Sequence, residues 1–438
     1  MPQFLARPDL RKYFANTSWL LVERFIRMVV SLFVGIYVTR FLGPERFGIL
    51  SYALSFVLLF SPFLHLGHRE IIVLDLIKSP EKRDLILGSA ILLRLGGAVL
   101  LVGGVSVGIQ FVENDQQTLL MIGIISVGIM FQSWELVDYY FQSQVQSKYT
   151  VWAQTIQLIV VSLCKLSLIY WQASLFWFVI VFSIEYVILA ILYLIMYIWR
   201  VGWFPIRRCN LKYTQKLLKN SLPLLFSTIA IMIYMKIDQI MLKELVGPAS
   251  VGIYSAAVKL CEVWYQFPVL VAGSYFPVII AAKANNSELY YSYLQKLYSF
   301  LVWSAIAIAI PTTLFSDWII HNLYGNEFAK SVVILQIYAW ASVFVFMGVA
   351  NHKWLLIENC QKYILLTTLL GMVINIVCNI ILIPLYGVSG AAVASLISYG
   401  IGSYGSLLFF PRLRVAFWLA TKSFNPFFHF AFKQNSEK

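Results

Sequence analysis

Twelve apolar stretches, each long enough to carry a helix across ~30 Å of hydrocarbon, recur along this 438-residue chain and leave little else for it to fold into. They run roughly over 17–41, 46–67, 85–111, 118–141, 152–171, 174–199, 221–245, 250–281, 297–316, 331–357, 364–383 and 389–411. Only 12% of residues are charged, against ~25% in an average soluble domain. The length would suit about three soluble domains of ~150 residues, but the apolar residues are spread over nearly the whole chain. The expected fold is therefore all-α and membrane-integral, with about twelve transmembrane helices.

The formal charge of +13 comes from 33 basic and 20 acidic residues confined to short connections between apolar runs, which argues against nucleic-acid binding. The five cysteines, Cys164, Cys209, Cys261, Cys360 and Cys378, show no CxxC or Cys/His spacing, so neither a disulfide framework nor a metal site is indicated. No Walker loop, HExxH or DxD-type cluster is present, and the expectation is a non-enzyme with no catalytic residues and no cofactor.

Positively charged loops resist translocation, so the placement of Lys and Arg sets orientation. With the N-terminus inside, the cytoplasmic segments hold 22 basic residues and the outer ones only Arg40, Arg46, Lys243 and Lys330. Both termini are expected to be cytoplasmic, with very short outer loops. The first span follows Arg7, Arg11 and Lys12 and carries no small-residue cleavage site, so it is expected to be an uncleaved anchor.

An internal repeat organises the chain. Leu42-Gly-Pro-Glu-Arg-Phe-Gly-Ile-Leu-Ser-Tyr-Ala53 recurs, 204 residues later, as Val246-Gly-Pro-Ala-Ser-Val-Gly-Ile-Tyr-Ser-Ala-Ala257, with six identities in twelve positions. Each copy sits where one span ends and the next begins, and Gly-Pro suits a tight turn because Pro cannot continue the preceding helix. Six spans separate the copies, so both halves enter the membrane with the same polarity, a parallel repeat known from one class of secondary transporters. The expected organisation is an N-terminal tail (1–16), a first six-helix lobe (17–199), a basic linker (200–220), a second lobe (221–411) and a C-terminal tail (412–438). If the lobes rock about a shared axis, the Gly43-Pro44 and Gly247-Pro248 turns separate or approach.

Ionisable groups inside spans cost on the order of 2.5–3.5 kcal/mol each on insertion scales, so they face an interior or a watery cavity. Glu23 and Arg27 are one turn apart and can pair along the first span, whereas Arg24 points elsewhere. Arg94 in the third span and Glu185 in the sixth are isolated in their own helices and can pair with each other or with a ligand. Lys236 and Asp238 are two residues apart and cannot satisfy one another, whereas Lys259 and Glu262 can. Structural pairing or snorkelling accounts equally well for Lys165, Lys259, Glu262 and Lys353. Arg24, Arg94, Lys236 and Asp238 point to a polar cavity. With seven basic against six acidic residues in the spans, two of the acids near one end of the fourth, the deeper cavity is expected to be cationic and to suit an anionic substrate. Pro268, Pro277 and Pro311 and the glycines of the third span permit kinks and close packing.

The stretch Tyr37-Val-Thr-Arg-Phe-Leu-Gly-Pro-Glu-Arg-Phe-Gly-Ile-Leu-Ser-Tyr52 now weighs most, with Arg94-Leu95, Trp134, Tyr140-Phe-Gln142, Ser221-Leu-Pro-Leu224, Ile237-Asp-Gln-Ile-Met-Leu242 and Tyr386-Gly-Val-Ser-Gly-Ala-Ala392. In this order they resemble the Wzx-type polysaccharide repeat-unit flippases of the MOP exporter superfamily. Phe141-Gln-Ser-Gln144 departs from that family's Phe-Gln-Gly followed by an acidic residue. The resemblance implies two six-helix lobes forming a V around a central cavity. It also implies a bacterial inner-membrane location and movement of an undecaprenyl-pyrophosphate-linked oligosaccharide to the outer leaflet for O-antigen, capsule or exopolysaccharide synthesis. Its partners would be the lipid-linked oligosaccharide, membrane lipids and the polysaccharide polymerase or chain-length machinery. A cationic lumen would replace the hydration of the headgroup, with Arg24, Arg27, Arg94 and Lys236 as contacts and Asp238 or Glu185 coupling transport to an ion gradient. Two other classes compete. A multidrug antiporter with the same lobes needs a net acidic cavity, and a membrane-embedded ligase or polymerase normally carries a sizeable outer loop.

Overall fold

The structure is a computed structural model that describes residues 8–111 and 115–425, with side chains from Glu23 onward. Of the tail cations counted above, Arg7, Lys433 and Lys438 lie outside the described residues, as do the side chains of Arg11 and Lys12. Every regular element among the described residues is helical. Among the described residues, eleven continuous stretches are long and apolar enough to cross a membrane, against the twelve expected. The difference lies at the start. Helix α1 (Pro8–His65) runs through both of the first two expected spans and is broken at Gly43, where φ 70° and ψ 173° leave the helical region. Only glycine adopts such angles without strain, so one stretch of 56 residues, Glu23–Lys78, takes in what the sequence divides into the first two expected spans.

The chain continues through α2 (Arg69–Lys78), α3 (Arg83–Gly108), α4 (Gln116–Met130), α5 (Leu136–Ser143), α6 (Lys148–Tyr170) and α7 (Leu175–Arg200). There follow α8 (Leu211–Leu245), α9 (Pro248–Glu262), α10 (Gln266–Asn285), α11 (Ser287–Leu314) and α12 (Ser316–Leu323). The last are α13 (Ser331–Ile357), α14 (Lys362–Tyr386), α15 (Val388–Gly400), α16 (Ser406–Phe409) and α17 (Arg414–Ser423). The fourth and eighth expected spans each contain a tightened 3-10 segment, Phe131–Glu135 between α4 and α5 and Val263–Tyr265 between α9 and α10. Helices α2, α12 and α17, of eight to ten residues, were not expected, because a segment so short shows no span-length apolar run.

Two compact units result, one of residues 1–42 and 52–232, the other of residues 43–51 and 233–438. In the first, α3 lies directly on α1: a Cβ at Gly97 would stand 2.2 Å from the Phe63 carbonyl oxygen, whereas Gly96 and Gly103 face open space. The core here is formed by side chains such as Ile72, Leu87, Leu136 and Tyr197, each worth ~1.5–3 kcal/mol when fully buried if it is a Leu or Ile. The stretch expected as a linker is strapped to this unit. Arg208 reaches Asp84 at 2.7 Å, Tyr213 donates to Asp75 at 2.6 Å, and the Pro205 and Arg208 carbonyls crowd Gly88.

In the second unit, Leu294, Leu301, Phe346 and Leu413 belong to a core that joins α11, α13 and the start of the C-terminal helices. Residues 43–51 pack against the beginning of α9. A Cβ at Gly48 would lie 1.8 Å from the Pro248 carbonyl oxygen, and one at Gly252 would lie 1.9 Å from that of Pro44. Under the 204-residue shift Gly48 corresponds to Gly252 and Pro44 to Pro248, so the two copies of the repeat exchange equivalent contacts, as copies related by a local twofold do. Gly247, at φ 119°, opens α9 with Pro248 in the first helical turn, where a missing N–H costs nothing.

Candidate functional site

Each unit holds a buried polar centre. In the first, Arg94 of α3 is fully buried. Its Nε donates to His68 Nε2 at 3.3 Å, Nη1 to the Gln132 carbonyl at 2.6 Å and Nη2 to the Tyr139 hydroxyl at 2.5 Å. The Gln132 carbonyl comes from the 3-10 segment before α5, which also brings Glu135 to 3.6 Å from Nη1. Because His68 accepts through Nε2, its proton sits on Nδ1, and that atom is buried with no partner among the described residues. Arg69 lies 3.5 Å from Asp138, and the Arg69 and Arg94 guanidinium carbons are 5.2 and 5.0 Å from the Tyr139 ring centroid. Tyr139 thus sits within cation–π range of both.

The second centre is built on Asp238 of α8, 3% exposed. Its Oδ2 accepts from the Tyr254 and Ser395 hydroxyls and its Oδ1 from Asn379 Nδ2, all at 2.5 Å. Asn375, one turn before Asn379 on α14, accepts from that amide at 3.2 Å and donates to Ser398 at 3.3 Å. No cationic side chain pairs with Asp238 among the described residues, and Asn379 Oδ1 is buried without a partner. A buried carboxylate held only by neutral donors is stable when it carries a proton or sits beside a bound cation.

The remaining sequence-predicted residues fall as follows. Arg27 pairs with Glu23 at 2.6 Å along α1, as their spacing allows. Arg24 is exposed and has no ion pair or hydrogen bond among the described residues. Lys236 of α8 reaches Glu262 of α9 at 3.7 Å. The pairing open between Arg94 and Glu185 is not made: Glu185 meets Lys165 at 2.9 Å, with the ammonium 3.8 Å from the Phe182 ring, and Arg94 meets Glu135. Arg94 therefore has neither exposed surface nor a spare direction with which to touch a substrate in this structure.

His68, Tyr139, Tyr254, Asn375, Asn379 and Ser395 did not emerge from the sequence. A signal for two of them was present, since Asn375 and Asn379 are carboxamides one turn apart in the middle of an apolar span. The tyrosines and serines carried none, because such residues are common in membrane helices.

The profile of a family described as Polysaccharide biosynthesis protein matches residues 13–283. Among curated relatives, "Probable low-salt glycan biosynthesis flippase Agl15" of Haloferax volcanii is 23% identical over 202 residues, covering 45% of this chain and 42% of its own. "Probable flippase AglR" of the same organism is 28% identical over 192 residues, 41% of this chain and 39% of its own. The chain thus spans about two fifths of the length of these two relatives. "Capsular polysaccharide biosynthesis protein CapF" of Staphylococcus aureus is 20% identical over 414 residues, 91% of this chain and 99% of its own. Among solved structures, an inward-facing multidrug resistance MATE family transporter of the MOP superfamily superposes with a TM-score of 0.71 at 13% identity, covering 91% of this chain and 94% of the other. Lipid II flippase MurJ, in an inward closed conformation, gives 0.69 at 16% identity, covering 92% and 90%. At such identities the likeness establishes the shared all-α membrane fold.

Proposed function

From the premise that the chain belongs to the Polysaccharide biosynthesis protein family, we propose that it is a flippase for a lipid-linked oligosaccharide. The substrate is an undecaprenyl-pyrophosphate-linked repeat unit for O-antigen, capsule or exopolysaccharide, moved from the cytoplasmic to the outer leaflet of a bacterial inner membrane. Both termini are cytoplasmic and the product passes to the polysaccharide polymerase and chain-length machinery. The family match carries this reading. The fold alone does not choose, because a multidrug transporter superposes as well as a lipid flippase does.

A sugar diphosphate cannot cross hydrocarbon unaided, and the protein must replace its water. Arg24, exposed and without an ion pair or hydrogen bond among the described residues though within electrostatic reach of Asp138, and Arg27, whose guanidinium is partly exposed beside Glu23, contact the phosphates. Arg94 and Lys236 act from behind, through the side chains they pair with. Asp238 couples transport to an ion gradient by taking up a proton or small cation, while Glu185, neutralised by Lys165, takes the structural role. The test is deletion in the native host. Lipid-linked precursor should accumulate out of reach of an external lectin, and the wild-type chain should restore surface polysaccharide. Precursor that stays fully accessible from outside after deletion overturns the proposal.

A further inference from the structure

Asp238 can change its charge state only if a cation reaches it, yet Asp238, Tyr254, Ser395 and Asn379 are all nearly or fully buried. The second unit holds a separate chamber of about 110 Å³, lined by the polar Tyr234, Asn351, His352, Thr368 and Ser403 and by apolar side chains such as Leu355. Three helices run from this chamber to the carboxylate, each bearing small or polar residues one turn apart. On α8, Tyr234 precedes Asp238 by four residues. On α14, Gly371 lines the chamber and is followed by Asn375 and Asn379. On the third, Gly402 lines the chamber and Ser398 and Ser395 lead back to Asp238. Hydrogen bonds join Asp238, Asn379, Asn375 and Ser398 in sequence, and the Ser398 hydroxyl donates in turn to the Ser395 carbonyl.

The end of that chain is unfinished in an informative way. The Tyr234 hydroxyl is buried and, with Ser398 as its nearby hydroxyl, makes no hydrogen bond of ordinary geometry among the described residues, although it lies against Gly402 at the chamber wall. Residues Ile401–Gly405 are wound as a π turn, which loosens the helical hydrogen-bond ladder, and Asn351 Nδ2 donates to the Ser403 carbonyl there. A chamber of this size, walled in part by hydroxyls, the Asn351 amide and a carbonyl, holds several waters, and a water completes the partnerless hydroxyl.

We propose that this chamber is the water-filled entry through which a small cation, a proton or an alkali ion, reaches Asp238, with water and the Tyr234 and Ser398 hydroxyls along the path and the Asn375 carboxamide as a polar wall that itself passes on no proton. The proposal rests on the coupling role given to Asp238 above. The titratable groups facing that carboxylate are Tyr254 and, further off, Tyr234 and Tyr399; Lys236 is held by Glu262, and His352 stands exposed at the chamber rim. Among the described residues of the column, Asp238 itself is the only acid.

The experiment uses Thr368→Cys in the full chain with the five native cysteines replaced, reconstituted in liposomes. The probes are methanethiosulfonate ethylsulfonate, a charged reagent that needs water, and a fluorescent polyprenyl-diphosphate oligosaccharide. The introduced thiol should react nearly as fast as one at exposed Gln361→Cys. Its modification should then remove the part of transport driven by an imposed gradient, compared with the same sample before modification. A pH gradient in sodium-free buffer and a sodium gradient at equal pH tell the two ions apart. A thiol as unreactive as one at Val373→Cys, which faces outward on α14, or gradient-driven transport that survives full modification, overturns the chamber. Undiminished gradient dependence in Asp238→Asn instead refutes the coupling role, so the two failures are distinguishable.

Discussion

Replacing Gly252 by Ala should prise apart the crossing of the two repeat turns. The new Cβ would fall 1.9 Å from the Pro44 carbonyl oxygen and 2.8 Å from its carbon, both main-chain atoms that no rotamer change can move. Ordinary contact needs more than 3 Å, so one backbone must retreat by about 1 Å. Overpacking of this kind costs ~1–3 kcal/mol, and the backbone-on-backbone geometry argues for the upper part of that range. At ~1.4 kcal/mol per factor of ten, the packed crossing should lose roughly ten- to a hundredfold in population relative to open forms. Spin labels at Glu45→Cys and Ala249→Cys, both exposed positions beside the prolines, report the separation directly in a background without native cysteines. The parent should show a short, narrow distance and Gly252→Ala a longer or broader one. Gly48→Ala should do the same, because it meets the Pro248 oxygen at 1.8 Å, whereas Gly96→Ala and Gly103→Ala, which meet nothing within 4 Å, should change nothing. An unchanged short distance in both Gly48→Ala and Gly252→Ala would refute the reasoning. A single unchanging distance with and without substrate, in active protein, would further count against alternating access by movement of these turns.

Two of the three arginines singled out by sequence, Arg24 and Arg94, should now behave differently. Arg94→Gln strands His68, the Gln132 carbonyl and Glu135, so it should lose ~3–5 kcal/mol and fail to accumulate, as read by abundance and thermal unfolding; a normally stable variant would contradict this. Arg24→Gln should instead keep its abundance and lose surface polysaccharide, with Arg24→Lys partly active because it retains charge without the planar fork. Lys165→Met should destabilise by leaving Glu185 unpaired, and the double variant Lys165→Met/Glu185→Leu should recover stability in a melting experiment. Reporter fusions that need an extracytoplasmic location should be active after Gly43 or Gly247 and inactive in the 200–219 stretch; activity there would sink the parallel-repeat topology.

The membrane class and nearly every span could be read from the chain, because a run of twenty apolar residues has few other uses. The break in α1 was legible as well, since Gly-Pro at a span boundary has a local physical cause. What stayed hidden depended on distant pairs. Nothing local says that Lys165 meets Glu185 across twenty residues, or that Arg94 finds Glu135 and Tyr139 forty-odd residues on. Counting charges in spans pointed to a cationic interior, whereas most of those cations are neutralised inside their own units. Asp238 was picked out because it lacks a partner on its own helix, and its environment of hydroxyls and carboxamides is the kind that charge counting cannot see.

Translocation itself is the most direct test. Purified chain would be reconstituted into liposomes whose fluorescent undecaprenyl-diphosphate oligosaccharide is confined to one leaflet, and the label reaching the opposite leaflet would be followed with a membrane-impermeant quencher. Wild-type protein should speed the crossing well above protein-free liposomes, and Arg24→Gln should fall back toward that background while remaining folded. Crossing no faster than in protein-free liposomes, from protein that is folded and correctly inserted, would contradict the assignment as a lipid-linked oligosaccharide flippase.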